Sequence, residues 1–178
     1  MFRMIKECNN ETVYWKVWQE NRRLRVYSGI VGEEGETTEI KLPPFRKANT
    51  VMGRLAEQRR EEGYSYLDTN ALYLFLIQYE YEGETSDIEV KKKKVESLLD
   101  NCLERTGNGI CRGWEEGEND DGRKSISIIG GVVDPYRASS TTIGELKKQN
   151  LWEGAKIAYR KNGVFTCIHP EGEEFTWI

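Results

Sequence analysis

The chain has 178 residues, 38% hydrophobic and 31% charged, with nine Tyr and five Trp, enough apolar and aromatic material for one sizeable core or two small ones and too much for wholesale disorder. Its net charge of −4 is uneven: residues 1–68 carry twelve Lys and Arg against eleven Asp and Glu, residues 69–178 fourteen against nineteen. An acidic second half disfavours phosphate backbones and suits a basic partner or a solvated surface.

Residues 12–19, Thr-Val-Tyr-Trp-Lys-Val-Trp-Gln, are rich in β-branched and aromatic types and predict a strand ending at Glu20-Asn21. Residues 22–31 continue as a second strand, with Leu24 and Val26 alternating with basic residues. A third strand over 36–42 is closed by Pro43-Pro44, because proline donates no ladder hydrogen bond. From 46 to 62 the period becomes helical, with Ala48, Val51, Met52, Leu55, Ala56 and Arg59 on one face and Gly63 as the cap. Tyr64 and Tyr66 lead to Asp68-Thr69-Asn70, a polar break taken as the boundary between a domain of residues 1–68 and one of 69–178.

These features resemble a WGR domain, a small strand-rich module with one long helix. The match rests on Tyr14-Trp15-Lys16-Val17-Trp18, on Gly29-x-Val31-Gly32 with Gly35, and on Gly63-Tyr64 after the helix. Ser28-Gly29-Ile30 stands where the Trp-Gly-Arg signature should be, so the resemblance implies the scaffold and not the family's DNA contact. An alternative function is nucleic-acid binding through this domain. Tyr14, Lys16, Arg22, Arg23 and Arg25 would then present a basic surface able to stack on bases.

Residues 71–81 form the most apolar run of the chain and predict a central strand covered on at least one face. Ser86-x-x-Glu89 has the spacing of a capping box. Val95, Leu98, Leu99, Cys102 and Leu103 then follow at helical intervals, so a helix is expected over 86–106. Lys91 to Lys94 point in four directions around that helix and read as a solvated face. Gly107 and Gly109 end the helix and turn the chain into a strand over 110–116. An acidic hairpin loop over 117–122 leads to a strand over 124–133, with Ile126, Ile128 and Gly130 on one face. Asp134-Pro135 breaks that strand. A second helix is expected to start near Thr142, with Ile143 and Leu146 inward, and to end near Asn150. A final hairpin, 155–161 and 164–169, turns at Asn162-Gly163.

From residue 71 the order is strand, helix, strand, strand, helix, strand, plus one added strand. This is the ferredoxin-like order, so the fold class expected is α+β, a WGR-like sheet with one helix followed by a ferredoxin-like domain. The second domain also resembles small bacterial immunity proteins in its helix, Gly107-Asn108-Gly109 turn, Gly113-Trp114 strand and acidic hairpin. That resemblance implies a protein partner.

The candidate chemistry is sparse. Gly107-x-Gly109 leaves a helix, whereas a phosphate cradle enters one at its N-terminus. The carboxylates from Glu115 to Asp121 lack the spacing of a calcium loop. His169, the one histidine, would share a strand face with Cys167, but no third residue orients it. Cys8, Cys102, Cys111 and Cys167 are widely spaced without a Cys-x-x-Cys pair, which argues against a disulfide framework or zinc. No catalytic residue, metal or cofactor is therefore expected. No run approaches the ~20 apolar residues of a membrane span and Met1 to Asn10 has no signal-peptide core, so a cytoplasmic protein without a membrane partner is expected. The expected function is non-catalytic protein binding of immunity or adaptor type, with a basic partner meeting Arg112, Trp114, Glu115, Glu116 and Asp120.

Overall fold

The computed structural model describes residues 1–43, 45–82, 86–118 and 122–177, with the backbone alone at 86. The described residues form an α+β protein of two five-stranded antiparallel sheets and three helices. Two compact units result, Met1–Asp68 with Arg105–Gly107, and Thr69–Glu104 with Asn108–Ile178.

The first unit holds β1 (Phe2–Cys8), β2 (Glu11–Glu20), β3 (Arg23–Ile30), β4 (Glu36–Lys41), α1 (Ala48–Glu61) and β5 (Ser65–Tyr66). Its strand order is β4-β3-β2-β1-β5. Trp15 and Val17 of β2, Leu24 and Val26 of β3 and Met4 of β1 bury one sheet face with Met52 and Ala56 of α1. The helix ends as expected. Gly63 takes φ +93 and donates to Arg60 O, while Tyr64 donates to Arg59 O, the two bonds of a Schellman cap. Strands β1 and β5 were not anticipated. Phe2 and Met4 do alternate with Arg3, but the apolar Ile5 interrupts the rhythm, and β1 is stabilised by pairing with β2, from Phe2↔Val17 to Cys8↔Glu11, and with β5 at Met4 and Ile5.

The second unit holds β6 (Tyr73–Tyr81), α2 (Ser86–Thr106, its last residues Arg105 and Thr106 falling in the first unit), β7 (Gly109–Glu118), β8 (Lys124–Val132), α3 (Pro135–Lys148), β9 (Ala155–Lys161) and β10 (Val164–His169). The strand order is β10-β9-β6-β8-β7. The apolar run of residues 71–81 thus supplies the central strand. Phe75, Ile77 and Tyr79 of β6 and Ile126, Ile128 and Val132 of β8 face Val95, Leu98, Leu99, Cys102 and Leu103 of α2 and Leu146 of α3.

The helix expected from Thr142 instead begins at Pro135. Asp134 is its N-cap, its carboxylate accepting from the backbone N–H of Tyr136 and of Arg137 at 2.9 and 3.0 Å. Asp-Pro breaks a strand, but proline is also favoured in the first turn of a helix, where its missing N–H would be unpaired anyway. The four cysteines are free thiols. Among the described residues no helix is long and apolar enough to cross a membrane.

Candidate functional site

In the second unit the sheet ends at β7. Its register with β8 runs Gly109↔Val132, Ile110↔Gly131 and Cys111↔Gly130, then shifts so that Gly113 faces Ile129, Trp114 faces Ile128 and Glu116 faces Ile126. The extra residue is Arg112, a β-bulge, with Gly113 at φ +99. Trp114, Glu116 and Glu118 therefore lie on the face that carries the helices, and Glu115 on the opposite one. Arg112 also turns to the opposite face. Its guanidinium lies against Gly131, where an added Cβ would come within 2.8 Å of Nε, and it donates to Thr69 O at 2.6 Å. The residues expected to act together are thus divided between the two faces, Arg112 by the bulge and Glu115 by the alternation of the strand. Asp120, and the Ser86 side chain of the expected capping box, lie outside the described residues and side chains.

Around Trp114 the structure adds two residues that the sequence reading left out. Trp114 is 42% exposed, and the Lys92 ammonium sits 3.4 Å from its ring centroid. Lys92 itself is 4% exposed and pairs with Glu116 at 3.1 Å and with Glu89. Burial draws the ammonium towards its neutral form, but the hydrogen bonds and charges of Glu89 and Glu116 outweigh this and hold its pKa above the ordinary lysine value. The site is an exposed indole whose position is set by a cation–π contact, itself fixed by two carboxylates.

This corrects the reading of Lys91 to Lys94 as a solvated face. Lys93 and Lys94 are exposed, but Lys92 is buried and Lys91 lies 3.8 Å over the Tyr79 ring while donating to Glu153 O. The reason is in the spacing. Ile88, Lys92, Val95 and Leu99 recur at helical intervals, so Lys92 sits on the apolar stripe and its stem runs along it while the ammonium reaches Glu89 and Glu116.

The candidate nucleic-acid residues of the first unit are differently disposed. Tyr14 and Lys16 are buried at 3% and 7% exposure, with the Lys16 ammonium 4.9 Å from the Tyr27 ring centroid. Arg23 pairs with Glu39, and Arg25 with Glu20 and, at 3.3 Å, with Glu39. The Glu39 pKa is lowered by the hydrogen bond and charge of Arg23, and the Arg25 pKa is raised by Glu20. Arg22 is exposed at the turn. Two of the three arginines are thus held in ion pairs.

Tyr14 has another role. Its ring is enclosed by Gly29, Gly35 and Gly107, at each of which an added Cβ would come within 3.3 Å of a Tyr14 atom. Its hydroxyl lies 3.3 Å from Arg105 O and 3.4 Å from Glu33 O. Burial pushes the phenol well above its ordinary pKa. Gly107, whose φ is +58, and Gly109, where a Cβ would collide with Gly131 O, thus serve close packing.

The expected pairing of Cys167 with His169 on one face does not occur. A bulge shifts the register so that Cys167 faces Ala158 and His169 faces Ile157, neighbours on opposite faces of β9. His169 stacks on Trp152 with ring centroids 4.0 Å apart. Burial and Lys147 lower its pKa, and burial raises that of Cys167.

No family model, no curated protein and no solved structure matches this chain.

Proposed function

We propose that this is a non-catalytic protein-binding chain of immunity or adaptor type, a WGR-like unit followed by a ferredoxin-like unit, which meets a basic protein surface through β7. The observation that carries the binding reading is the exposed Trp114, held face-on to the Lys92 ammonium on a strand whose other exposed side chains include Glu115, Glu116 and Glu118. Tryptophan in a fixed position loses little conformational entropy on association and is among the side chains that dominate interface energies. The carboxylates beside it favour a cationic partner. The ferredoxin-like reading is supported by the order β9-β6-β8-β7, all antiparallel, with one helix after the first of these strands in sequence and one after the third. The WGR-like reading is supported by an antiparallel sheet with one helix across a face.

The test is affinity capture from the native host with the full chain, followed by direct titration of the recovered protein. Trp114→Ala should weaken binding by at least about tenfold, about 1.4 kcal/mol, and the wild-type affinity should fall as salt rises. An unchanged affinity for Trp114→Ala would refute the assignment of β7 as the binding surface.

A further inference from the structure

An outer strand leaves one row of backbone N–H and C=O groups unpaired, and proteins ordinarily blunt such edges by shortness, charged side chains, above all lysine, proline or bulges. Among the described residues four strands lie at sheet edges, β4, β5, β7 and β10. Strand β5 has two residues. Strand β4 has six, ends in Lys41 and is followed at once by Leu42-Pro43. Strand β10 also has six, carries the bulge between Cys167 and His169 and runs directly into Pro170.

Strand β7 departs from this pattern. It has ten residues with no lysine and no proline, and the charges beyond its bulge are Glu115, Glu116 and Glu118, which turn away an acidic strand and not a basic one. Its bulge falls near the start, so Gly113 to Glu118 run in unbroken register opposite Ile129 to Lys124. Along these six residues Trp114, Glu115, Glu116 and Glu118 are exposed.

We infer that the free edge of β7 is a strand-addition site, completed by an extended basic segment of the partner, an inference that rests on the protein-binding reading above. The backbone of such a segment would pair with the outward N–H and C=O groups of Gly113 to Glu118, which supplies affinity irrespective of sequence, while its side chains supply selectivity. Because side chains alternate along a strand, lysines or arginines at every second position would lie beside Trp114, Glu116 and Glu118 together. The Lys92 ammonium covers one face of the indole, so Trp114 is already ordered before the segment arrives. A second copy of this chain is a poorer occupant. Pairing β7 with β7 antiparallel would bring its glutamates against one another, and like charges directly opposite destabilise a sheet. The net charge of −4 adds to that repulsion.

The experiment follows amide hydrogen exchange of the full chain by NMR while titrating a blocked ten-residue peptide, the length of β7, of alternating Lys and Thr. Two further peptides serve as comparisons, one of alternating Glu and Thr, the other the Lys/Thr peptide N-methylated at every residue so that it retains its charge and has no backbone donors. The Lys/Thr peptide should slow exchange of the β7 amides not bonded to β8 by about tenfold or more at saturation, and neither comparison peptide should. Unaltered β7 exchange overturns the inference, as does equal binding by the N-methylated peptide, which would leave the basic-partner reading standing as a contact of charge alone. Self-association that protects β7 without peptide also overturns it. Slowed β7 exchange together with a captured partner indifferent to Trp114→Ala would count against the preceding reading instead.

Discussion

Replacing Gly107 by alanine tests how the first unit is packed. Gly107 has φ +58, where an L side chain is disfavoured by about 1–2 kcal/mol. The new Cβ would also fall within 3.0 Å of three Tyr14 ring carbons. The ring has little room to retreat. It is 3% exposed, and Gly29 and Gly35 already abut its Cε1 and hydroxyl. Overpacking of this kind costs about 1–3 kcal/mol, so Gly107→Ala should destabilise the protein by about 2–5 kcal/mol in urea unfolding followed by circular dichroism. In a Tyr14→Ala background the steric part vanishes and the same substitution should cost only the backbone term of about 1–2 kcal/mol. The difference between the two backgrounds is the coupling energy of the pair. Equal losses in both would refute the packing argument.

Other expectations follow from the same contacts. Lys92→Met removes the ammonium over Trp114 and should lower stability by about 0.5–2 kcal/mol. Because the folded Lys92 pKa lies above its unfolded value, that loss should be constant from neutral pH, where the partner carboxylates are ionised, up to the ordinary lysine pKa, and should shrink as pH rises beyond it. A pH series of denaturation curves from neutrality upward reads this directly for both proteins, and a difference that persists undiminished well above the lysine range would contradict it. His169 has a lowered pKa in the folded chain, so stability present above the ordinary histidine pKa should decline as pH falls through that value towards the folded one. The slope cannot exceed about 1.4 kcal/mol per pH unit, and His169→Phe, which keeps an aromatic ring against Trp152, should flatten it. Gly109→Ala drives a Cβ into the backbone oxygen of Gly131 and should lose about 3 kcal/mol or more, whereas Gly131→Ala meets the movable end of Arg112 and should lose about 1 kcal/mol or less. Comparable melting temperatures for these two variants would overturn that ordering.

Much of the local structure was legible from residue spacing. The stripe from Val95 to Leu103, the apolar run of residues 71–81 and the Asn162-Gly163 turn each act over a few neighbours, so a helix, a central strand and a hairpin could be read from them. Asp134-Pro135 was ambiguous because the same dipeptide stops a strand and starts a helix, and Asp134 settles the matter by bonding two backbone N–H groups. Strand β1 was hidden for a different reason, since Ile5 breaks its alternation and pairing with β2 supplies what local pattern does not. The candidate site was legible only in part. Trp114 and its glutamates could be picked out by composition, and Lys92 betrays itself by falling in step with Ile88, Val95 and Leu99. The bulge that turns Arg112 away from Trp114 had no such signal beyond Gly113, whose φ of +99 favours glycine.

What the sequence determined by itself is the set of strong local preferences, namely where an apolar stripe must face a core, where glycine must cap or turn, and that the second half is acidic. Tertiary structure alone decided which side chains share a face. Bulges at Arg112 and before His169 each reverse the alternation of a strand, and a shift of one residue carries every later side chain to the other face. Burial likewise depends on partners distant in the chain. Lys92 is a cation in a run of four, yet Glu89, Trp114 and Glu116 make it the fixed centre of the β7 surface.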